Sequence, residues 1–131
     1  AEEISEFAAD GTRLRRFDWA GPAVSAERLP NGNTLVGGGG LVREFSADGS
    51  LVWQLDSEDL LDTELKMVAG VKRLANGNTL ITNWGIEGSS RTTPKILEVN
   101  SQKWILWRVW DNPALGSLAQ TQILDPPISI K

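Results

Sequence analysis

Few side chains in this sequence of 131 residues could carry out enzyme chemistry. It contains no His, the commonest general base and a common metal ligand. It also contains no Cys, so thiol catalysis, zinc–thiolate sites and disulfides are excluded. An acid–base pair would have to consist of carboxylates, for instance Asp56 with Glu58 or with Asp111. We therefore assign no catalytic residue and expect no cofactor.

One acidic run could in principle bind calcium, because carboxylates cluster in it. It extends over SEDLLDTELK at 57–66 and continues the aspartate at position 56. It lacks the alternating order of acidic residues and glycine that a calcium-binding loop requires. We interpret the run as a solvated loop with a short helical turn, and we predict no metal site.

A repeat defines the elements that must position any site. Residues 28–36 read RLPNGNTLV and residues 73–81 read RLANGNTLI. Asn-Gly between two apolar runs indicates a tight hairpin, since both residues tolerate positive φ. A second hairpin signature recurs as ISEFAADGTRLRRF at 4–17, LVREFSADGSLVWQL at 41–55 and ILEVNSQKWILWRV at 96–109. Each repeat therefore consists of two hairpins, which is four short strands.

This pattern, with helical segments scarce, predicts an all-β fold. Four-stranded repeats of about 40–45 residues are typical of β-propeller blades. We predict a single domain over 1–131, with a half-blade at 4–19, blades at 24–56 and 68–110, and a half-blade at 119–131. The run GGGG at 37–40 is interpreted as a turn at the blade rim. A plain antiparallel sandwich is the alternative, although it does not require near-identical sequence at a fixed spacing.

The segment LPNGNTL, following a hairpin such as EFSADGSLVWQL, resembles the blades of bacterial arylsulfotransferase-like and PQQ-like propeller proteins. The resemblance covers nearly the whole chain and implies an extracytoplasmic location. In the family's sulfotransferases, a His-Asp-Ala just before this segment supplies the catalytic His. The matching positions here read VSA at 24–26, AGV at 69–71 and AQT at 119–121. None is His, so the resemblance implies the fold without that sulfotransferase mechanism.

Topology predicts where a ligand would bind. In an up-and-down blade the connections alternate between two sides, and the short, similar Asn-Gly and Asp-Gly turns share one of them, the turn side. The other connections differ in length and sequence, and we call theirs the loop side. Because scaffolds carry function on variable loops, we expect any ligand on the loop side, at the mouth of the central channel. The candidate ligand-binding residues are Trp19, Ser25, Gly70, Asn83, Trp84, Arg91, Trp110, Asp111 and Gln120.

Composition and repeat number limit the partners. A net charge of −4 and a pI near 4.8 argue against a nucleic-acid or anionic-membrane surface. No apolar run approaches the roughly 20 residues of a membrane-spanning helix. Three blade equivalents are too few to close a ring, since propellers contain about four to eight blades. We therefore predict a homodimer with six blades, in which residues 4–19 of each chain complete residues 119–131 of the other. The alternative is that the sequence is one piece of a longer chain.

Three classes of function remain. We favour a non-catalytic binding module that uses the loop side for a small molecule, a glycan or a protein. The alternatives are an enzyme, a hydrolase or lyase with carboxylate acid–base residues on that side, and a purely structural repeat. Tryptophans at the loop side could stack on a sugar or another planar ligand, although packing within the protein is the simpler explanation. Exposure of Trp19, Trp84 and Trp110 around one opening would favour binding over architecture.

Overall fold

A computed structural model of the protein describes residues 3–84 and 93–110. Its strands are β1 Glu3–Phe7, β2 Arg13–Asp18, β3 Ser25–Arg28, β4 Thr34–Gly38, β5 Leu41–Phe45, β6 Leu51–Asp56, β7 Val68–Arg73, β8 Thr79–Asn83, β9 Ile96–Val99 and β10 Ile105–Val109. One turn of 3-10 helix follows β6, at Ser57–Asp59. No helix in these ranges is long and apolar enough to cross a membrane. The all-β prediction is confirmed, and the predicted half-blade at 119–131 lies outside the described residues.

The strands form three antiparallel sheets that follow one another along the chain. The first sheet is β1–β2, the second is β3–β4–β5–β6, and the third is β7–β8–β9–β10. In both four-stranded sheets, strands that are consecutive in sequence are neighbours in space. The Asn-Gly and Asp-Gly turns therefore lie at one end of each sheet, and the other connections lie at the opposite end.

The Asn-Gly turns adopt the backbone that their composition requires. Gly32 and Gly77 have φ angles of 89° and 90°. The N–H of Gly32 donates to the carbonyl of Leu29, and that of Gly77 donates to the carbonyl of Leu74, both at 2.9 Å. A φ near 90° strongly favours glycine, because a Cβ is strained there. These turns are therefore structural elements of the turn side.

The Asp-Gly turn between β5 and β6 makes an acid-sensitive contribution to stability. The Asp48 carboxylate accepts hydrogen bonds from the Ser46 hydroxyl and the Ser50 N–H, which lower the pKa of Asp48 to about 2. Because this pKa is lower than the ordinary value of 3.8, the contribution is present above about pH 4 and is lost as the pH falls toward about 2.

We therefore expect Asp48→Asn to flatten the acid-induced fall in the free energy of unfolding between about pH 4 and pH 2. Urea denaturation at a series of pH values measures this fall. Asp18→Asn, which changes an exposed carboxyl on β2, is the control. Equal falls in Asp48→Asn and in the wild type would show that the turn does not contribute in this way.

Strand β4 is buried on both faces because the second sheet lies between the other two. Leu35 on β4 points into a cluster shared with the third sheet, whereas its neighbour Val36 points into a cluster shared with the first sheet. The larger cluster includes Val42, Leu55, Val68, Val71, Ile81, Leu97 and Val99, and the smaller one includes Phe17, Trp19 and Phe45. The three sheets are thus stacked face to face.

Glycines at the end of β4 allow its neighbours to approach closely. A Cβ on Gly37 would lie 2.6 Å from a methyl group of Val68 and 2.7 Å from a methyl group of Val71. A Cβ on Gly38 would lie 2.1 Å from the carbonyl oxygen of Pro22 in the β2–β3 link. The GGGG run is therefore only partly the rim turn predicted from sequence. Its first two residues continue β4 and make room for the third sheet and for the link.

An ion pair recurs at the same repeat position between successive sheets. Arg73 of β7 donates to Glu44 of β5 at 2.8 Å, with 22% and 9% of these side chains exposed. Arg28, the equivalent residue of β3, pairs with Glu6 of β1. In both cases the first strand of a four-stranded sheet is joined to the preceding sheet. The repeat in the sequence is therefore also a repeat of the contact between sheets.

Candidate binding site

The links between strands contact one another on the loop side. The N–H of Val68, at the start of β7, donates to the carbonyl of Gly39 in the β4–β5 link at 2.6 Å. The N–H of Trp84, just after β8, donates to the carbonyl of Met67 at 2.7 Å. These bonds bring together segments that are far apart in the sequence. The β4–β5 link, the start of β7 and the end of β8 therefore lie together on the loop side.

The side chain of Asn83 holds part of this surface together. Its Nδ2 donates to the carbonyl oxygens of Glu64 and Pro94 at 2.9 and 3.0 Å, and its Oδ1 accepts from the N–H of Lys66 at 3.0 Å. Asn83 is fully buried. Its polar atoms tie the acidic loop and the segment before β9 to the end of β8, which is a structural role.

Two other predicted site residues, Ser25 and Gly70, come together from neighbouring sheets. The N–H of Val71 donates to Ser25 Oγ at 3.3 Å, which joins β3 to β7. Gly70 is buried where the pairing of β7 with β8 is irregular. The first strands of the two four-stranded sheets therefore lie side by side at this point.

The three tryptophans predicted on the loop side differ in exposure. Trp84 is 51% exposed and Trp110 is 37% exposed, but Trp19 is only 3% exposed. The Arg108 guanidinium lies 4.6 Å from the ring centroid of Trp110. Trp19 packs in the smaller core cluster, so the condition of three exposed tryptophans around one opening is not met. The remaining predicted site residues lie outside the described residues: Arg91, Asp111 and Gln120.

An open pocket of about 590 Å³ adjoins Trp19. Its lining consists of Glu3, Ile4, Trp19, Gly21, Pro22 and Ala23. The indole Nε1 of Trp19 is buried and has no hydrogen-bond partner among the described residues. A buried donor left without a partner costs about 1–3 kcal/mol. Trp19 thus lines the pocket, and its indole N–H is a donor without a partner among the described residues.

Sequence reasoning identified Trp19 but missed the part of this pocket that β1 supplies. The available signal was the register of the first hairpin. Ile4 pairs with Phe17 and Glu3 pairs with Asp18, so the start of β1 lies beside the end of β2. A hairpin centred on Asp10-Gly11 places these residues next to Trp19 before any tertiary contact is known.

Two carboxylates of this acidic segment, Asp56 and Asp59, have structural roles. Asp56 accepts a hydrogen bond from the N–H of Glu58 at 2.9 Å and caps the 3-10 turn, while its own N–H donates to Asp59 at 3.0 Å. Partial burial raises the pKa of Asp59. The hydrogen bonds from Lys103 and from the Asp56 N–H, together with the charge of Lys103, outweigh burial and hold that pKa below its ordinary value. Within residues 3–84 and 93–110 no three potential metal ligands cluster.

These features define an all-β protein of stacked antiparallel sheets with a pocket among its links. Among solved structures, the fold of this chain is similar to the crystal structure of a protein of unknown function from Bacteroides caccae, with a TM-score of 0.70 and 26% sequence identity. The match covers 83% of this chain but 42% of the other, so the chain spans less than half of that neighbour's length. No protein-family model matches the chain, and no curated protein does either.

Proposed function

We propose that the chain is a non-catalytic binding module built from β-propeller blades, and that its ligand occupies the loop-side pocket beside Trp19. The observation that carries this proposal is the buried Nε1 of Trp19, which has no partner among the described residues although Trp19 lines an open pocket. Pockets of this volume hold small organic ligands. The ligand must present a hydrogen-bond acceptor that can reach the indole N–H.

The charges around the pocket favour a neutral ligand. Glu3 is the ionisable residue of the lining. Its carboxylate already pairs with Arg13 at 3.2 Å and with Arg16 at 3.3 Å. The rest of the lining is apolar apart from the Trp19 N–H and backbone groups. A small sugar combines apolar C–H faces with hydroxyl acceptors, so we infer a mono- or disaccharide.

Four observations support the propeller architecture. Both four-stranded sheets are up-and-down meanders, and the sheets are stacked in the order of the chain. Their connections separate into a turn side and a loop side. The pair Arg28–Glu6 and the pair Arg73–Glu44 recur at equivalent positions between successive sheets. The structural neighbour from Bacteroides caccae is more than twice as long as the part of it that matches this chain. This length is consistent with a ring of more blades than this chain supplies.

Two indole substitutions test the ligand site. Trp19→Phe keeps an aromatic ring in the core and removes the N–H donor, so we expect binding to weaken about tenfold, the value of one hydrogen bond. Trp104→Phe removes the same donor from a 70% exposed ring at the β9–β10 turn and is the matched control. A panel of neutral mono- and disaccharides, screened by saturation-transfer NMR, supplies the probe for titration. Equal dissociation constants for the two variants would contradict the assignment.

A purely structural repeat is the second candidate function. The observation that favours it is the recurrence of the arginine–glutamate contact, which serves stacking of sheets and requires no ligand. The two candidates differ in one outcome. If no saccharide of the panel binds the wild-type protein at millimolar concentration, the structural role is the better account of the chain.

A further inference from the structure

We propose that the third sheet holds the β1–β2 hairpin of a second copy of this chain. The inference rests on the propeller architecture proposed above and names the partner of its open face. The chain already makes the relevant contact twice, between its first and second sheets and between its second and third sheets. We call the face of a sheet that contacts the following sheet its forward face, and the opposite face its rear face.

The forward face of the second sheet shows what such a face binds. Trp53 Nε1 donates to the carbonyl of Ser101, in the β9–β10 turn of the third sheet, at 3.1 Å. Glu44 accepts from Arg73 of the third sheet at 2.8 Å, and the Arg73 guanidinium lies 5.6 Å from the Trp53 ring centroid. Glu44 and Trp53 are themselves paired across β5 and β6. A forward face thus presents a tryptophan and a glutamate to the next sheet.

The forward face of the third sheet carries the same two side chains. Glu98 and Trp107 are paired across β9 and β10, at the repeat positions of Glu44 and Trp53. Trp107 Nε1 donates a hydrogen bond to Oε2 of Glu98. In the second sheet, the corresponding oxygen of Glu44 accepts from Arg73 instead. Trp107 is nevertheless 38% exposed. This face therefore has the composition of a contact between sheets, and no following sheet is among the described residues.

The rear face of the first sheet shows the complementary feature. Phe7 on β1 is 60% exposed, whereas its repeat equivalents Phe45 and Val99 are 3% and 0% exposed. Phe45 packs against Phe17 of the preceding sheet, with ring centroids 4.9 Å apart. Phe7 thus occupies a position that is buried by the preceding sheet in both other copies. For the first sheet, no preceding sheet is among the described residues.

A second copy provides an apolar and a backbone contact for these two faces. With the spacing of the two existing contacts, Phe7 of one copy packs against Val109 of the other, which is the repeat equivalent of Phe17. The carbonyl of Ala9, the repeat equivalent of Ser101, then comes within reach of Trp107 Nε1. A twofold arrangement makes both contacts at once and leaves neither face open. Exposed aromatic side chains on the two faces are typical anchors of such an interface.

The experiment measures the mass of the wild-type chain and of matched variants by light scattering. We expect the wild type at twice the chain mass of 14.3 kDa. Phe7→Glu and Trp107→Lys should each raise the dissociation constant of the dimer more than about tenfold, because the first places a charge in an apolar contact and the second removes the indole ring that meets the hairpin. Val52→Glu changes a 52% exposed side chain on β6 of the second sheet, which carries neither of the two faces, and should leave the mass unchanged.

Mixing the two charge variants tests the reciprocal contact. A mixed dimer contains one Phe7→Glu chain and one Trp107→Lys chain. In one of its two interfaces both positions are wild type. In the other interface the Glu at position 7 of one chain faces the sheet that carries the Lys at position 107 of the other. We therefore expect mixing to restore association, with folding of each variant checked by circular dichroism. A folded wild-type chain that remains at 14.3 kDa would overturn the proposal. So would folded variants that do not associate when mixed. Saccharide binding is measured separately on Trp19→Phe, so either proposal can fail alone.

Discussion

Replacing Gly38 by alanine is expected to lower the free energy of unfolding by about 3 kcal/mol or more. The added Cβ would lie 2.1 Å from the carbonyl oxygen of Pro22 and 2.8 Å from the Cα of Ala23. Both are backbone atoms, so a change of rotamer cannot relieve the clash, and the β2–β3 link must move away from β4. Because Pro22 and Ala23 also line the pocket beside Trp19, we expect the same substitution to weaken saccharide binding.

Gly39→Ala is the matched control, one residue further along the same run. Gly39 has a φ of 55°, and no atom lies within 4 Å of the position of its Cβ. Its substitution should therefore cost only the strain of the left-handed conformation, about 1–2 kcal/mol. Urea denaturation with an unchanged m-value gives both free energies. If the two variants lose the same stability, close approach of the link to β4 is not what Gly38 provides.

Local structure could be predicted closely because local signals determine it. The hairpin signature at 41–55 forms the strands Leu41–Phe45 and Leu51–Asp56, since alternation and the Asp-Gly turn between them lie within one short segment. The third hairpin lacks Asp-Gly, yet Lys103 adopts a φ of 69° at the position of that glycine. The repeat context thus imposes the turn even where the residue type does not favour it.

Burial at the loop side could not be predicted in the same way. Trp19 and Trp84 both follow the end of a strand, but one is 3% exposed and the other is 51% exposed. The difference arises from another sheet: Trp19 packs with Val36 and Phe45 of the second sheet, and Arg43 lies 5.8 Å from its ring. Alternation along a strand indicates which face a residue occupies, but it does not indicate what covers that face.

The same limit applies to Asn83, which was expected near a ligand. Its three hydrogen bonds reach Glu64, Lys66 and Pro94, and these partners lie between 11 and 19 positions away. No short-range pattern marks an asparagine that ties two links together. The pocket itself requires both β1 and the β2–β3 link, so it becomes visible only once the register of the first hairpin is taken together with the position of the second sheet.

Removing the Arg73 guanidinium is expected to lower the free energy of unfolding by about 3 kcal/mol. Glu44 accepts from Arg73 at 2.8 Å and from Asn33 Nδ2 at 2.8 Å, and its side chain is only 9% exposed. In Arg73→Ala the buried Glu44 carboxylate keeps its hydrogen bond from the neutral Asn33 amide and loses the positively charged guanidinium. Arg73→Ala also removes a hydrogen bond to Thr79 and the contact with the Trp53 ring. The loss of stability in this single variant is therefore larger than the contribution of the Arg73–Glu44 pair alone.

A double-mutant cycle separates the pair from these other contacts. Combining Arg73→Ala with Glu44→Ala should cost less than the sum of the single substitutions, by about 1–3 kcal/mol, because the carboxylate is then no longer buried without a cation. Arg28→Ala is the matched control at the equivalent repeat position. Its pair with Glu6 is 36% and 34% exposed, so we expect a loss of about 1 kcal/mol or less. Equal losses for Arg73→Ala and Arg28→Ala, or strict additivity in the cycle, would mean that burial between the second and third sheets does not strengthen this contact.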